Sequence, residues 1–160
     1  MAELIGNIRN TPRAVIIKDD QLLLIRKFCE LRGERFALPG GAQDLGESLI
    51  DALKRECLEE INTDISVGAL LHVADYLKLK DSQPPTRRHL LEYFFLCSVP
   101  DDYVPSSGHH PDKHQTGVDW ISLTEIAHTP LLPRYHKRVL FSQQAQQPDF
   151  YLGQFDDSSH

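Results

Sequence analysis

Cysteine is scarce in this chain of 160 residues, and no two cysteines are closely spaced. There are only three, Cys29, Cys57 and Cys97, and none belongs to a CxxC pair. Clustered cysteines hold zinc or build disulfide frameworks, so this scarcity argues against a zinc-binding module and against a small secreted disulfide scaffold. We therefore expect reduced thiols and a cytoplasmic location.

Hydrophobic targeting segments and excess positive charge are also missing. The first ten residues, MAELIGNIRN, contain no apolar core of a secretory signal, and no later run approaches the roughly 20 apolar residues of a membrane helix. The chain has 17 basic and 23 acidic residues, a net charge of −6 and a pI of about 5.7. This balance argues against a protein that grips a nucleic-acid duplex by its phosphates. We expect neither a membrane nor a duplex as partner.

The remaining pattern is that of one α/β domain. We expect a single domain over 1–160, with a core of about 10–145 and a tail at 146–160 that is loose or docked on a partner. Apolar stretches predict strands at 12–18 and 22–28 (a hairpin), 65–79, 89–99 and 118–121. Helices are predicted at 48–62, just after 122, and at about 134–144. Together, these strands and helices predict a mixed β-sheet between helices.

The helix predicted at 48–62 carries a cluster of acids. Ser48 is a suitable N-cap. The apolar stripe consists of Ile50, Leu53, Cys57 and Ile61. Glu56, Glu59 and Glu60 share an arc of roughly 100°, where three like charges repel each other. A hard cation such as Mg²⁺ or Mn²⁺ relieves that repulsion, because carboxylate oxygens are the ligands it prefers. An acid-rich solvated face is the plainer alternative.

A fixed spacing extends this cluster toward the N-terminus. The order is Gly41, five residues, Glu47, seven residues, Arg55-Glu56-Cys57, one residue and Glu59-Glu60. It resembles the Nudix box, GX5EX7REUXEEXGU with U aliphatic, at every charged position. Asn62 and Thr63 stand where the box has glycine and an aliphatic residue, and Asn is the next-best residue for a left-handed helix stop. The resemblance is to the MutT-like Nudix hydrolases and implies an α/β/α sandwich.

The resemblance also implies roles for individual residues. It implies a divalent cation held by Glu56, Glu59, Glu60 and the main-chain carbonyl of Gly40. Glu59 or Glu56 would take a proton from the attacking water. Arg55 is expected to pair with Glu47 and fix the loop to the helix, and a surface pair with Glu59 is the alternative. A distal loop supplies an acid in many relatives; here it offers Asp112, His114 and Gln115, so the general base stays open.

Four further residues are candidates for substrate binding. Arg26 lies 14 residues before Gly40, where similar enzymes hold a phosphate, and Arg13 is a weaker candidate of the same kind. Tyr76 is placed to stack on a base, although a core or rim tyrosine is the commoner outcome. His114 belongs to the irregular stretch 100–117, in which surface histidines are favoured over a transition-metal site.

These observations favour a metal-dependent pyrophosphohydrolase. Its substrate would be a nucleoside diphosphate linked to another group, such as a nucleotide sugar, an ADP-ribose-like compound or a nucleoside triphosphate. One alternative is a Nudix-like module that senses nucleotides without cleaving them. Another is a prenyl diphosphate isomerase, which would need a catalytic cysteine such as Cys29. Family habit and the aromatic tail suggest a homodimer.

Overall fold

A mixed β-sheet forms the centre of the protein. The computed structural model describes residues 2–141 and 149–159. The described strands are β1 Glu3–Lys18, β2 Gln21–Cys29, β3 Gly33–Ala37, β4 Ser66–Lys80, β5 Thr86–Ser98, β6 Gln115–Ser122 and β7 Tyr151–Asp156. Their order is β3-β2-β1-β5-β4-β7, and β6 pairs with the other side of β2. β1–β5 and β4–β7 are parallel and the other pairs are antiparallel, so the sheet is mixed, as predicted.

A tight turn between β1 and β2 divides the sheet into two parts. Asp19 and Asp20 both have positive φ, 52° and 58°, a conformation that Asp tolerates better than most residues. The two strands pair only beside this turn, at Ile17–Leu22 and Lys18–Gln21. Beyond it β1 continues against β5, whereas β2 continues against β3 and β6. The hairpin predicted from the sequence is thus confirmed at its tip.

Helices cover both faces of the sheet. α1 Leu49–Ile61 buries Leu53, Cys57 and Ile61 completely against one face, where each large apolar side chain contributes about 1.5–3 kcal/mol. A 3₁₀ helix, Leu123–His128, and α2, His136–Phe141, pack on a second apolar cluster. The arrangement is the predicted α/β/α sandwich. Ile50 departs from the predicted stripe, because its side chain is 42% exposed at the first turn of α1.

The limits of α1 follow from local cap chemistry. The Ser48 hydroxyl accepts a hydrogen bond from the Asp51 N–H at 3.0 Å, which satisfies a free donor of the first turn. Asn62 ends the helix in the left-handed conformation, with φ 63° and ψ 37°. Both ends agree with the prediction, and the substitution of Asn for the box glycine is accommodated at this position.

The C-terminal region differs from the expectation of a loose or partner-bound tail. Residues 151–156 form β7, which adds to the edge of the sheet beside β4. Phe155 is 8% exposed and its ring stacks on Tyr135 with centroids 4.4 Å apart. This aromatic residue therefore completes the chain's own core. The helix predicted at about 134–144 starts at His136, and residues 142–148 lie outside the described part.

Two further expectations concern the cysteines and membrane spans. All three cysteines are free thiols, and Cys57 and Cys97 are buried. In the described residues, no helix has both the length and the apolar character needed to cross a membrane. The strands predicted at 65–79 and 89–99 are present as β4 and β5, and β5 begins three residues earlier than predicted, at Thr86.

Candidate active site

The turn after β3 brings the backbone directly against the acidic face of α1. Gly40 has φ +139°, and a Cβ there would lie 2.2 Å from the Pro12 carbonyl oxygen. A Cβ at Gly41 would lie 2.4 Å from the Glu56 carboxyl carbon. The Gly40 N–H donates to Glu60 Oε1 at 2.9 Å. A side chain at Gly40 would clash with the backbone of β1, and a side chain at Gly41 would displace the Glu56 carboxylate.

Burial makes these carboxylates unusual. Glu60 is only 4% exposed, and burial raises its pKa to about 8 although the Gly40 N–H favours the charged form. Burial also raises the pKa of Glu56, against the opposite effect of its hydrogen bond from Arg55. Both shifts have the same cause. Burial removes water from around each negative charge, and the neighbouring donors do not fully replace it. A cation placed here would stabilise the ionised carboxylates.

Arg55 is surrounded by acids. Its guanidinium nitrogens lie within 4.0 Å of four carboxylates, at 2.7 Å from Glu47, 3.0 Å from Glu56 and 3.5 Å from Asp44 and Glu59. The expected Arg55–Glu47 contact is present, and the alternative contact with Glu59 exists beside it at the longer distance. Since one positive charge cannot neutralise four negative ones, the cluster remains negative and favours a multivalent cation.

The donor set fits a hard divalent cation in its chemistry. Glu56, Glu59 and Glu60 lie on neighbouring turns of α1, and together with the Gly40 carbonyl they offer only oxygen ligands. Within residues 2–141 and 149–159, however, no three His, Cys, Asp or Glu side chains are already grouped to hold a metal ion. Arg55 draws two of the glutamates toward itself, so coordination requires these side chains to reorient.

Arg13 lies beside this turn and is held by a buried network. Its Nε donates to Glu92 Oε2 at 2.8 Å and its Nη1 donates to the Gly40 carbonyl at 3.2 Å. Glu92 is fully buried, and its other oxygen contacts the Tyr135 hydroxyl and His136 Nε2. Arg13 was predicted to bind substrate; in the structure it orients the Gly40 carbonyl while its side chain remains 17% exposed.

The network around Glu92 was not found from the sequence. Arg13 and Glu92 are 79 residues apart, and the contact arises from the pairing of β1 with β5. The available signal was a lone acid inside the apolar run Leu90–Leu96, since a buried carboxylate nearly always has a partner.

The other substrate-binding candidates lie in different surroundings. Arg26 pairs with Asp119 at 2.8 Å and also contacts Thr116, so its guanidinium is engaged on the β6 side of β2. Tyr76 is 4% exposed, and its hydroxyl bonds Asp157, which corrects the prediction of a base-stacking residue in favour of the core alternative. The His114 side chain is exposed, and its carbonyl accepts from the Phe28 N–H.

The distal loop reaches the C-terminal end of α1. The Glu60 carbonyl accepts hydrogen bonds from the Gly108 N–H at 3.2 Å and from Gln115 Nε2 at 2.8 Å. The loop thereby satisfies carbonyls that the last turn of a helix leaves unpaired. It also brings Asp112 near the acids, where the carboxylate pairs with Lys27 at 2.9 Å. Of the three residues that the distal loop offers as a general base, Asp112 therefore places a carboxylate near Glu60.

Positive charges border the Gly40–Gly41 segment and the glutamates of α1 that face it, Glu56, Glu59 and Glu60, which together are called the acidic turn. Loss of water around the Lys78 ammonium lowers its pKa, and the nearby positive charges of Arg13 and Lys27 lower it further. On another side, a cavity of about 530 Å³ separates the loop of Glu47 from Arg9 and Arg88. The sequence did not single out these basic residues. Such a border is suited to the phosphates of a substrate.

The chain matches a known protein family and several solved structures. The model of the NUDIX domain family matches residues 9–142. A relative named putative ADP-ribose pyrophosphatase YjhB, from Bacillus subtilis (strain 168), is 34% identical over 89 residues, which are 56% of this chain and 40% of the relative. The chain thus spans less than half the length of this curated relative.

Solved structures show the same fold. A NUDIX hydrolase from Nitrosomonas europaea superposes with a TM-score of 0.68 at 22% identity, over 89% of this chain and 92% of the other. A MutT NUDIX hydrolase from Burkholderia pseudomallei gives 0.65 at 25% identity, over 84% and 98%. An ADP-ribose pyrophosphatase from Streptococcus suis 89-1591 gives 0.58 at 20% identity, over 92% and 98%.

The chain belongs to the NUDIX domain family. The family model covers most of the chain and contains every residue of the acidic turn, so the predicted family is confirmed. The shared fold confirms the predicted sandwich.

Proposed function

We propose that the protein hydrolyses the diphosphate linkage of a nucleoside diphosphate joined to another group, with Mg²⁺ or Mn²⁺ as cofactor. The observation that carries this proposal is the approach of the Gly40–Gly41 backbone to Glu56 and Glu60, which concentrates buried negative charge at one point. Glu56, Glu59, Glu60 and the Gly40 carbonyl would hold the cation. When bound, the cation supplies charge for the phosphate oxygens and for the attacking water.

The chain's own residues supply positioning and proton transfer. Arg13 fixes the Gly40 carbonyl through its hydrogen bond at 3.2 Å, and Arg55 ties the loop of Glu47 to α1. Lys27 and Lys78, next to Arg13, are placed to attract the phosphates. Glu59 or Glu56 would accept the proton of the attacking water, as in general base catalysis.

The substrate class is inferred from the relatives. One is named a putative ADP-ribose pyrophosphatase, and one structural neighbour is described as a UDP-X diphosphatase. A nucleotide sugar or an ADP-ribose-like compound is therefore preferred to a nucleoside triphosphate. A cytoplasmic location and a homodimer remain predictions.

A substrate panel tests the proposal. Phosphate-containing products would be measured from ADP-ribose, UDP-sugars, dinucleotides and nucleoside triphosphates, with Mg²⁺ or with excess chelator. We expect turnover that requires the cation and falls at least about 100-fold in Glu59→Gln, because a ligand and candidate base is lost. Glu30→Gln, at an exposed position of the β2–β3 turn, is the matched control.

The nucleotide-sensing alternative makes a different prediction for the same panel. It predicts nucleotide binding by calorimetry without products under any condition, and that result would contradict the proposed hydrolase. Unchanged turnover in chelator or in Glu59→Gln would contradict the assignment of the acids instead. The isomerase alternative would be supported by loss of activity on a prenyl diphosphate in Cys29→Ala.

A further inference from the structure

A second charged cavity lies apart from the acidic turn. It has a volume of about 400 Å³ and lies between β3 and residues 130–137. Four basic residues line it, Arg32, Arg35, Arg134 and Lys137, together with one acid, Glu34. Arg32 is paired with Asp81 at 3.2 Å. Arg35 and Lys137 are therefore the residues that indicate a ligand, because their positive charges would both be stabilised by an anionic group in the cavity.

Arg35 is the least exposed of these basic residues. It is 9% exposed, and its Nη1 donates to Cys29 Sγ at 3.2 Å. In the part of the chain that the structure describes, no carboxylate lies within 4.0 Å of its guanidinium. A guanidinium that is largely buried and donates to a thiol rather than to a carboxylate is costly, because a buried charge is normally paired. The position of Arg35 thus indicates a missing negative partner.

The opposite wall of the cavity is apolar and rigidly placed. Pro130, Leu131 and Leu132 line it. The Phe36 N–H donates to the Pro130 carbonyl, and the Leu132 N–H donates to the Phe36 carbonyl, each at 2.9 Å. These bonds fix the wall to β3. A ligand that fits must therefore combine an anionic group with an apolar face.

We propose that this cavity binds a mononucleotide, whose phosphate meets Arg35 and Lys137 and whose base lies on the apolar wall. Its volume is within the range of small-molecule sites, which is roughly 300–1,000 Å³, and exceeds what a lone phosphate needs. Arginine suits both parts of such a ligand, because its planar fork of donors matches phosphate and its face stacks on bases. None of the residues lining it belongs to the acidic turn. The proposal does not depend on hydrolysis of any substrate.

Binding would be measured with the full chain in excess chelator, so that no divalent cation can hold a phosphate at the acids of α1. The probes are AMP, adenosine and inorganic phosphate. The binding of each is measured by calorimetry and by changes in backbone amide chemical shifts in NMR. We expect AMP to bind more tightly than either fragment, with shifts at residues 32–35 and 130–137. No AMP binding, equal binding of phosphate alone, or shifts confined to residues 40–60 would overturn the proposal.

Variants link the binding to the cavity. Lys137→Gln and Arg35→Gln should each weaken AMP binding about tenfold, the usual effect of losing one charge-assisted hydrogen bond. Lys54→Gln, at an exposed position on α1, removes the same charge elsewhere and should leave the affinity unchanged. Because Arg35 is buried, its variant is checked for native amide dispersion, and the half-buried Lys137 provides the test if Arg35→Gln is unfolded. Wild-type affinity in Lys137→Gln would refute the assignment.

Discussion

Replacement of Glu92 by Gln should destabilise the protein strongly and disturb the active site. The carboxylate is fully buried, and it accepts from Arg13 Nε at 2.8 Å and contacts Tyr135 and His136. The Gln amide can replace at most one acceptor oxygen, so its NH₂ group would face the donors of either Arg13 or the two aromatic residues. The Arg13 charge would lose its partner while remaining largely buried.

The expected cost is about 3–5 kcal/mol, the usual range when one partner of a buried ion pair is removed. A domain of this size has a total free energy of unfolding of about 5–15 kcal/mol, so the loss is a large part of it. Arg13 would also be freed to leave the Gly40 carbonyl, which it now contacts at 3.2 Å. Turnover should therefore fall even in the fraction that remains folded.

The stability cost of Glu92→Gln should depend on pH, and the direction of that dependence follows from the pKa of Glu92. Burial acts to raise the pKa of Glu92, but His136 and Arg13 hold that pKa well below its usual range. A depressed pKa contributes stability above the unfolded-state value of about 4.3, and that stability is lost as pH falls below it. The difference in unfolding free energy between wild type and Glu92→Gln should therefore be largest near neutrality and narrow below about pH 4.3.

Urea unfolding followed by circular dichroism at pH 7 and at pH 3 measures both quantities. Glu30→Gln changes the same group at an exposed position and should shift the midpoint little. A cost below about 1 kcal/mol for Glu92→Gln at pH 7 would refute the reasoning, because it would mean that Arg13 does not need its buried partner.

Three other predictions concern the border of the site and the assembly. Gly41→Ala should lower kcat about tenfold or more, because the new Cβ would lie 2.4 Å from the Glu56 carboxyl carbon and displace it; unchanged steady-state kinetics would contradict this. Lys78→Gln should raise KM by about three- to tenfold with little change in kcat if its charge serves phosphate binding, and a kcat effect alone would argue otherwise. A homodimer predicts twice the monomer mass in light scattering; exposed Phe150 and Tyr151 would be candidates for its interface.

Local chemistry explains which parts of the molecule could be predicted. α1 was placed correctly because Ser48 and Asn62 specify its ends through their own hydrogen bonding and backbone preference. The Arg55–Glu47 contact was expected because both residues lie within one short segment. These features need no knowledge of the rest of the chain.

The errors involve contacts between distant segments. The segment of β7 was predicted to be a tail that is loose or docked on a partner, because its pairing with β4 joins residues near 155 to residues near 76. Tyr76 and Phe155 both pack around Tyr135, and no local pattern distinguishes such core aromatics from surface ones. The partner of Arg13 was missed for the same reason, because Glu92 meets it only when β1 pairs with β5.

Magnesium binding to the acidic turn is the most direct test of the account. Calorimetric titration of the wild-type chain with MgCl₂, alone and with a non-hydrolysable diphosphate ligand, should show a bound divalent cation. The same titration of Glu60→Gln should show affinity reduced at least about tenfold. If the wild type binds no cation under either condition, or if Glu60→Gln binds it equally well, the buried carboxylates beside Gly40 are not a metal site and the proposed chemistry is wrong.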